Sequence, residues 1–218
     1  MDKKAIVSAT ARYVKRALPE GDPGHDWRHT YRVWQTALKI SKQEKDTDTF
    51  AIQLGALLHD VTDWKFSKSA KQSSTVVDDW LSKLGVDRKT VAHVNKIIEA
   101  VTFKGAGVTD KVHSREAAIV QDADRLDALG AIGIARAFGY GGYRKRAIYD
   151  PNEKVKYHKN FSAYKTSQSA STINHFYEKL LLLKKRMHTK EGKRLATERD
   201  KFMRQYLKQF FEEWKMKK

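Results

Sequence analysis

Apolar residues recur at three- and four-residue intervals along nearly the whole chain, and no segment alternates apolar with polar for the length of a strand. That spacing gathers apolar side chains on one stripe of a helix and commits the chain to an all-α fold. The first helix carries Ala5, Ile6, Ala9, Tyr13, Val14, Ala17 and Leu18 and stops at Pro19-Glu20-Gly21-Asp22-Pro23-Gly24. Proline there removes an amide donor, and glycine frees the backbone. A second helix starts at Asp26, a residue suited to an N-cap, and places His29, Val33, Ala37 and Ile40 on one stripe. A third spans 48–60, with Ala51, Ile52, Leu54, Leu57 and Leu58 as its apolar positions. A fourth is expected from Ser73 or Ser74 to Gly85, and a fifth from Asp87 through Val91, Val94, Ile97, Ile98 and Val101. Thr102 to Gly107 reads as a loop, and Ser114 caps a sixth helix bearing Asp122, Asp124 and Asp127. Gly139 to Tyr164, rich in glycine, tyrosine and lysine, reads as a loop, followed by two long helices over 167–187 and 189–216. No internal repeat and no linker rich in proline, glycine or serine divides the chain.

Charge and cysteine content narrow the chemistry. Lysine and arginine number 43 against 26 acidic residues, a net charge of +17 that favours an anionic partner. Much of the excess lies from Lys184-Lys185-Arg186 onward, where it also reads as a solvated basic face. With no cysteine, disulfides and thiolate metal sites are excluded. The start Met1-Asp2-Lys3-Lys4-Ala5 lacks a signal-peptide apolar run, and no stretch approaches the roughly 20 apolar residues that span a bilayer. A cytoplasmic protein with no membrane partner is expected. Nothing in the sequence speaks to an oligomeric state.

Three separated segments offer imidazole and carboxylate from helices: His25-Asp26-Trp27-Arg28-His29, Leu57-Leu58-His59-Asp60, and Asp122-Ala123-Asp124-Arg125-Leu126-Asp127. Nitrogen and oxygen donors together suit a mid-row divalent cation. His29 lies on the apolar stripe of its helix, whereas His25 sits at the helix start, better placed to meet substrate. Adjacent residues on a helix point about 100° apart, so His59 and Asp60 can share an ion near a helix end. An unpaired carboxylate at the edge of a core is costly, which favours a cation beside Asp60. Asp122, Asp124 and Asp127 repel one another, and a cation or a basic neighbour such as Arg125 relieves this.

In order, His29, His59-Asp60 and Asp124 match the H…HD…D pattern that names the HD superfamily of metal-dependent phosphohydrolases, which the chain resembles from about Gly24 to about Gly130. More narrowly, Asp63-Trp64-Lys65-Phe66, Thr102-Phe103-Lys104-Gly105 and the tail around Met187 resemble a bacterial branch of small stand-alone HD hydrolases. Some of that branch cleave nucleoside triphosphates to a monophosphate and pyrophosphate. The resemblance implies an all-α HD-domain helical bundle with additional C-terminal helices: one domain over 1–218, its metal-binding core at about 24–130 and a helical part at about 131–218. It implies His29, His59, Asp60 and Asp124 as ligands of one divalent ion, with Asp124 preferred to Asp122 because the family's last ligand directly precedes an arginine. Asp63 stands where related nucleotidases place an acid that helps activate water, one methylene shorter here than a glutamate.

Mn²⁺ is the expected ion, with Ni²⁺, Fe²⁺, Co²⁺, Zn²⁺ and, least comfortably beside two histidines, Mg²⁺ also compatible. Arg28, Lys65 and Arg125 lie close enough in sequence to the ligands to hold phosphate oxygens, and Lys104, in a glycine-flanked loop, is of the same kind. A second metal would need paired histidines that His93 and His113 do not supply, which also weighs against a two-iron oxygenase. The tyrosines and cations of the 139–164 loop suit stacking on a base, and Asn174, His175 and Tyr177 suit a pocket wall. The leading reading is hydrolysis of a nucleotide or other small phosphorylated substrate. The rival is a basic nucleic-acid-binding protein or phosphodiesterase using the same metal site, which rests on charge alone.

Overall fold

The computed structural model describes residues 1–18, 26–61, 70–102, 107–110, 112–156 and 171–217, with side chains in the helix that opens at Ala70 described from Thr75 onward. Its elements are helical, as the periodicity requires, and the described residues hold no strand beyond an isolated bridge between Ala147 and Ser171. Among those residues no helix is long and apolar enough to cross a membrane.

The chain forms two compact units. The first, Met1–Phe103 with Lys111–Asp124, contains α1 (Lys3–Ala17), α2 (Trp27–Ser41), α3 (Thr49–Leu58), α4 (Ala70–Lys83), α5 (Arg88–Val101) and most of α6 (Arg115–Asp127). Its centre is α3, apolar on nearly every face and buried at every position from Leu54 to Leu58. Helices α1, α2 and α5 pack around it. The approach of α5 is close enough that a Cβ on Gly55 would stand 2.6 Å from Ile97 Cγ2.

Helix starts follow the sequence cues. Asp48 Oδ1 accepts from the amides of Phe50 and Ala51, Asp87 from Thr90, and Ser114 Oγ from Ala117. Gly85, at a φ of +76°, ends α4 in the left-handed conformation glycine adopts without strain, while the amide of Val86 bonds the Leu81 carbonyl. α4 begins at Ala70, ahead of the expected Ser73 or Ser74. A serine within a helix costs under about 0.7 kcal/mol, so these residues do not enforce a boundary.

The second unit, Lys104–Asp110 with Arg125–Lys218, contains α7 (Gly130–Tyr143), α8 (Thr172–Glu178), a 3₁₀ helix (Leu180–Arg186) and α9 (Lys190–Trp214). α9 lies against α7 and the 3₁₀ helix, and Phe138, Phe176 and Tyr206 meet with ring centroids 5.9–6.2 Å apart. Two expectations fail here. Gly139 to Tyr143 is the last part of α7 and not a loop, because Gly141 packs where any Cβ would collide with Thr172 Oγ1. Close packing overrides the poor helix propensity of this glycine-rich stretch. The helix expected over 167–187 is instead α8 and the 3₁₀ helix, separated at Lys179 (φ −138°, ψ −60°). Three residues per turn bring Leu180 and Leu183 onto one face, and both are buried. The final helix matches its expected span to within two residues.

Candidate metal centre

Helix α2 begins where Asp26 Oδ1 accepts the backbone N–H of His29 at 2.7 Å. This turns His29 onto the buried face shared with Thr30, Val33, Ala37 and Ile40. Helix α3 ends at Leu58, so His59 and Asp60 stand in the turn beyond it, which the Val61 amide closes on the Leu58 carbonyl. Asp124 comes from α6.

His29, His59 and Asp124 converge on one point, and Asp60 stands against the two imidazoles. His29 Nε2 lies 3.3 Å from His59 Nε2, 3.2 Å from Asp60 Oδ2 and 3.4 Å from Asp124 Oδ1. His59 Nε2 lies 3.4 Å from Asp60 Oδ1 and 3.8 Å from Asp124 Oδ1. The Ala56 carbonyl stands 2.8 Å from the His59 Nδ1 and accepts its hydrogen, which turns Nε2 toward the other three side chains. Nitrogen and oxygen ligands about 2.1 Å from one ion stand about 3 Å apart when adjacent, close to the spacings seen. His29, His59 and Asp124 alone already satisfy the geometry of a metal-holding group.

Electrostatics keep the Asp124 carboxyl ionised. Burial pushes the Asp124 carboxyl up and Asp60 adds to that push, but the His29 hydrogen bond and the charges of both histidines outweigh them and hold it down at about 2. Its side chain is closely ringed by other atoms yet stays 29% exposed, against 1%, 3% and 6% for His29, His59 and Asp60.

The HD domain family matches residues 26–129, which contain all four of these side chains. Over 198 residues the chain is 37% identical to the uncharacterized protein YpgQ of Bacillus subtilis, covering 90% of this chain and 88% of the relative. A crystal structure of YpgQ in complex with ADP superposes with a TM-score of 0.74 at 31% identity, over 95% of this chain and 97% of that one. A Bacillus thuringiensis HD-superfamily hydrolase gives 0.76 at 39%, covering 98% and 99%. A Lactobacillus plantarum protein gives 0.88 at 32%, covering 99% and 100%. The chain belongs to the HD superfamily. It is a metal-dependent hydrolase with the helical HD fold.

Within this HD protein the other residues singled out from sequence fall in three places. Arg28 is exposed on α2 beside His29. His25, Asp63, Lys65 and Lys104 lie outside the described residues, as do Tyr157, Lys159 and Tyr164. Arg125, expected to hold substrate phosphate, has a side chain only 2% exposed and bonds Asp110 Oδ1 at 2.7 Å and the Arg186 carbonyl at 2.5 Å. Arg186 adds two bonds to Asp110, at 2.9 and 3.0 Å, and reaches the Val108 carbonyl. Burial would raise the Asp110 carboxyl, yet the two guanidiniums hold it below the usual range. Arg125 is thus part of a buried ion-pair network in the second unit.

The acidic cluster also divides. Asp122 is fully buried in the first unit, and Asp127 pairs with Arg136 at 2.8 Å in the second. His93 Nε2 lies 3.4 Å from Glu116, and His113 is exposed. Tyr149 packs edge-on against Phe210, Phe211 and Trp214, and Asn174 is buried in the second unit. Sequence reading missed the Asp110–Arg186 partnership, since residues 76 apart in a loop and a 3₁₀ helix share no periodic signal.

Proposed function

We propose that this HD hydrolase cleaves a nucleotide phosphoanhydride, taking a nucleoside triphosphate to its monophosphate and pyrophosphate, with Mn²⁺ as its ion. The observation that carries the reading is the meeting of His29, His59 and Asp124 at one point, with Asp60 against both imidazoles. Its support for a nucleotide is the 37% identity to YpgQ, a protein crystallised with ADP.

In this reading His29, His59, Asp60 and Asp124 hold the ion. Asp60 faces both histidines, one through each oxygen, and the Ala56 carbonyl keeps His59 Nε2 turned inward. When bound, the ion supplies Lewis acidity, acidifying a water and drawing charge from the phosphoryl group. Asp63 takes the proton of the attacking water as its oxygen bonds to the α-phosphorus and the bond to the β-phosphate oxygen breaks, so pyrophosphate leaves. Arg28 and Lys65 offset phosphate charge, with His25 and Lys104 contacting the rest of the substrate. Arg125 is left out of this reading, because its side chain is buried against Asp110 and the Arg186 carbonyl.

The test is a screen of nucleoside mono-, di- and triphosphates with Mn²⁺, phosphate and pyrophosphate being assayed separately. Stoichiometric pyrophosphate from triphosphates supports the reading. Phosphate as the sole inorganic product, or turnover only of a polynucleotide, overturns it; the second result is what the rival phosphodiesterase reading expects from the +17 charge.

A further inference from the structure

His29 is the third residue of α2, within the first turn. First-turn amides have no acceptor inside the helix, and helix ends fray. The other donors are placed differently. Ala56 holds the His59 ring, and Asp124 is the tenth residue of α6, well past its first turn. At α2 the first-turn amide is that of His29 itself, and Asp26 Oδ1 takes its hydrogen bond at 2.7 Å. The corresponding caps of α3, α5 and α6 are longer, at 3.2, 3.0 and 3.1 Å. A carboxylate at this end also meets the positive pole of the helix.

We propose that Asp26 is a positioning residue for the metal centre: by pinning the amide of His29 it sets the ring's approach to His59, Asp60 and Asp124. The inference rests on the metal reading of those four side chains, and Asp26 itself touches neither ion nor substrate. A cap that merely stabilises a helix is separable from one that places a ligand. Asp87 provides the comparison, because it caps α5 through the amide of Thr90 and α5 carries none of the four donors.

The experiment is Mn²⁺ affinity by electron paramagnetic resonance, with melting temperature alongside, for the full chain and its Asp26→Ala, Asp26→Asn and Asp87→Ala variants. Asp26→Ala should weaken Mn²⁺ binding by about tenfold or more, the range seen when the support of a metal ligand is lost. Asp26→Asn keeps an accepting oxygen and should stay within about threefold of the parent. Asp87→Ala should lower the melting temperature comparably while leaving Mn²⁺ affinity unchanged. Should Asp26→Ala not fold, Asp26→Gly carries the same expectation, since glycine is tolerated at an N-cap yet offers no side-chain acceptor. Parent-like binding by Asp26→Ala or Asp26→Gly, equal losses in Asp26→Ala and Asp87→Ala, or an Asp26→Asn as weak as Asp26→Ala would each overturn the proposal. A parent chain that binds no Mn²⁺ would instead strike at the metal reading beneath it.

Discussion

His59 and Asp60 are adjacent in sequence, yet both face His29, whose Nε2 lies 3.3 Å from His59 Nε2 and 3.2 Å from Asp60 Oδ2. Removing both donors, as His59→Ala with Asp60→Ala, should lower kcat/KM for nucleotide hydrolysis by more than about a hundredfold, beyond what loss of a supporting residue costs. Steady-state kinetics with Mn²⁺ checks this, and any affinity for a polynucleotide should survive the change. Asp110 makes a different prediction. Arg125 and Arg186 hold its carboxyl below its ordinary value in the folded chain, against the opposing effect of burial. Its contribution to stability is therefore complete above the unfolded value of roughly 4 and is lost as pH falls through the lower folded value. Asp110→Asn should cost about 3 kcal/mol at neutral pH, since it strands the buried Arg125, and should flatten the acid limb of the stability profile measured by denaturant melts at several pH values. The meeting of His29, His59 and Asp124 was legible in the chain, because imidazole and carboxylate on apolar helix faces have few inexpensive explanations other than a shared partner. The fate of Arg125 was not, because its partners arrive from Asp110 and Arg186, far off in sequence.

Among the elements, α1, α2, α3 and α5 could be read from their apolar stripes, their breakers and the caps at Asp26, Asp48 and Asp87. Those signals are local, and packing reinforces them. α7 escaped notice because Gly139, Gly141 and Gly142 oppose a helix locally, and only the approach of Thr172 explains why glycine stands at 141. Leu180 to Leu183 lie in the expected helix but wind as a 3₁₀ helix, since a run of leucines cannot distinguish 3.6 residues per turn from three. Close approach makes its own prediction at α3. Gly55→Ala would drive a methyl into Ile97, so α3 must shift or Ile97 must leave its rotamer. An overpacking cost of about 1–3 kcal/mol is expected in denaturant unfolding. Because α3 ends at two of the donors, Mn²⁺ affinity should fall with it, whereas a cavity-forming Ile97→Val should lower stability alone by about 1 kcal/mol.

For the molecule as a whole, the HD superfamily supplies the fold and the metal-dependent hydrolytic chemistry, and the +17 charge suits the anionic substrates such chemistry serves. That charge does not choose a substrate. Its exposed carriers include Lys190, Lys193, Lys201 and Lys208 along α9, a helix with no share in the four donors. The central claim is that those donors form one site for one divalent ion. Titrating the chain with Mn²⁺ by isothermal calorimetry, beside the His59→Ala, Asp60→Ala double variant, tests it most directly. One ion per parent chain and no measurable binding by the variant are expected. Equal binding by the two chains, or none by the parent, would contradict it.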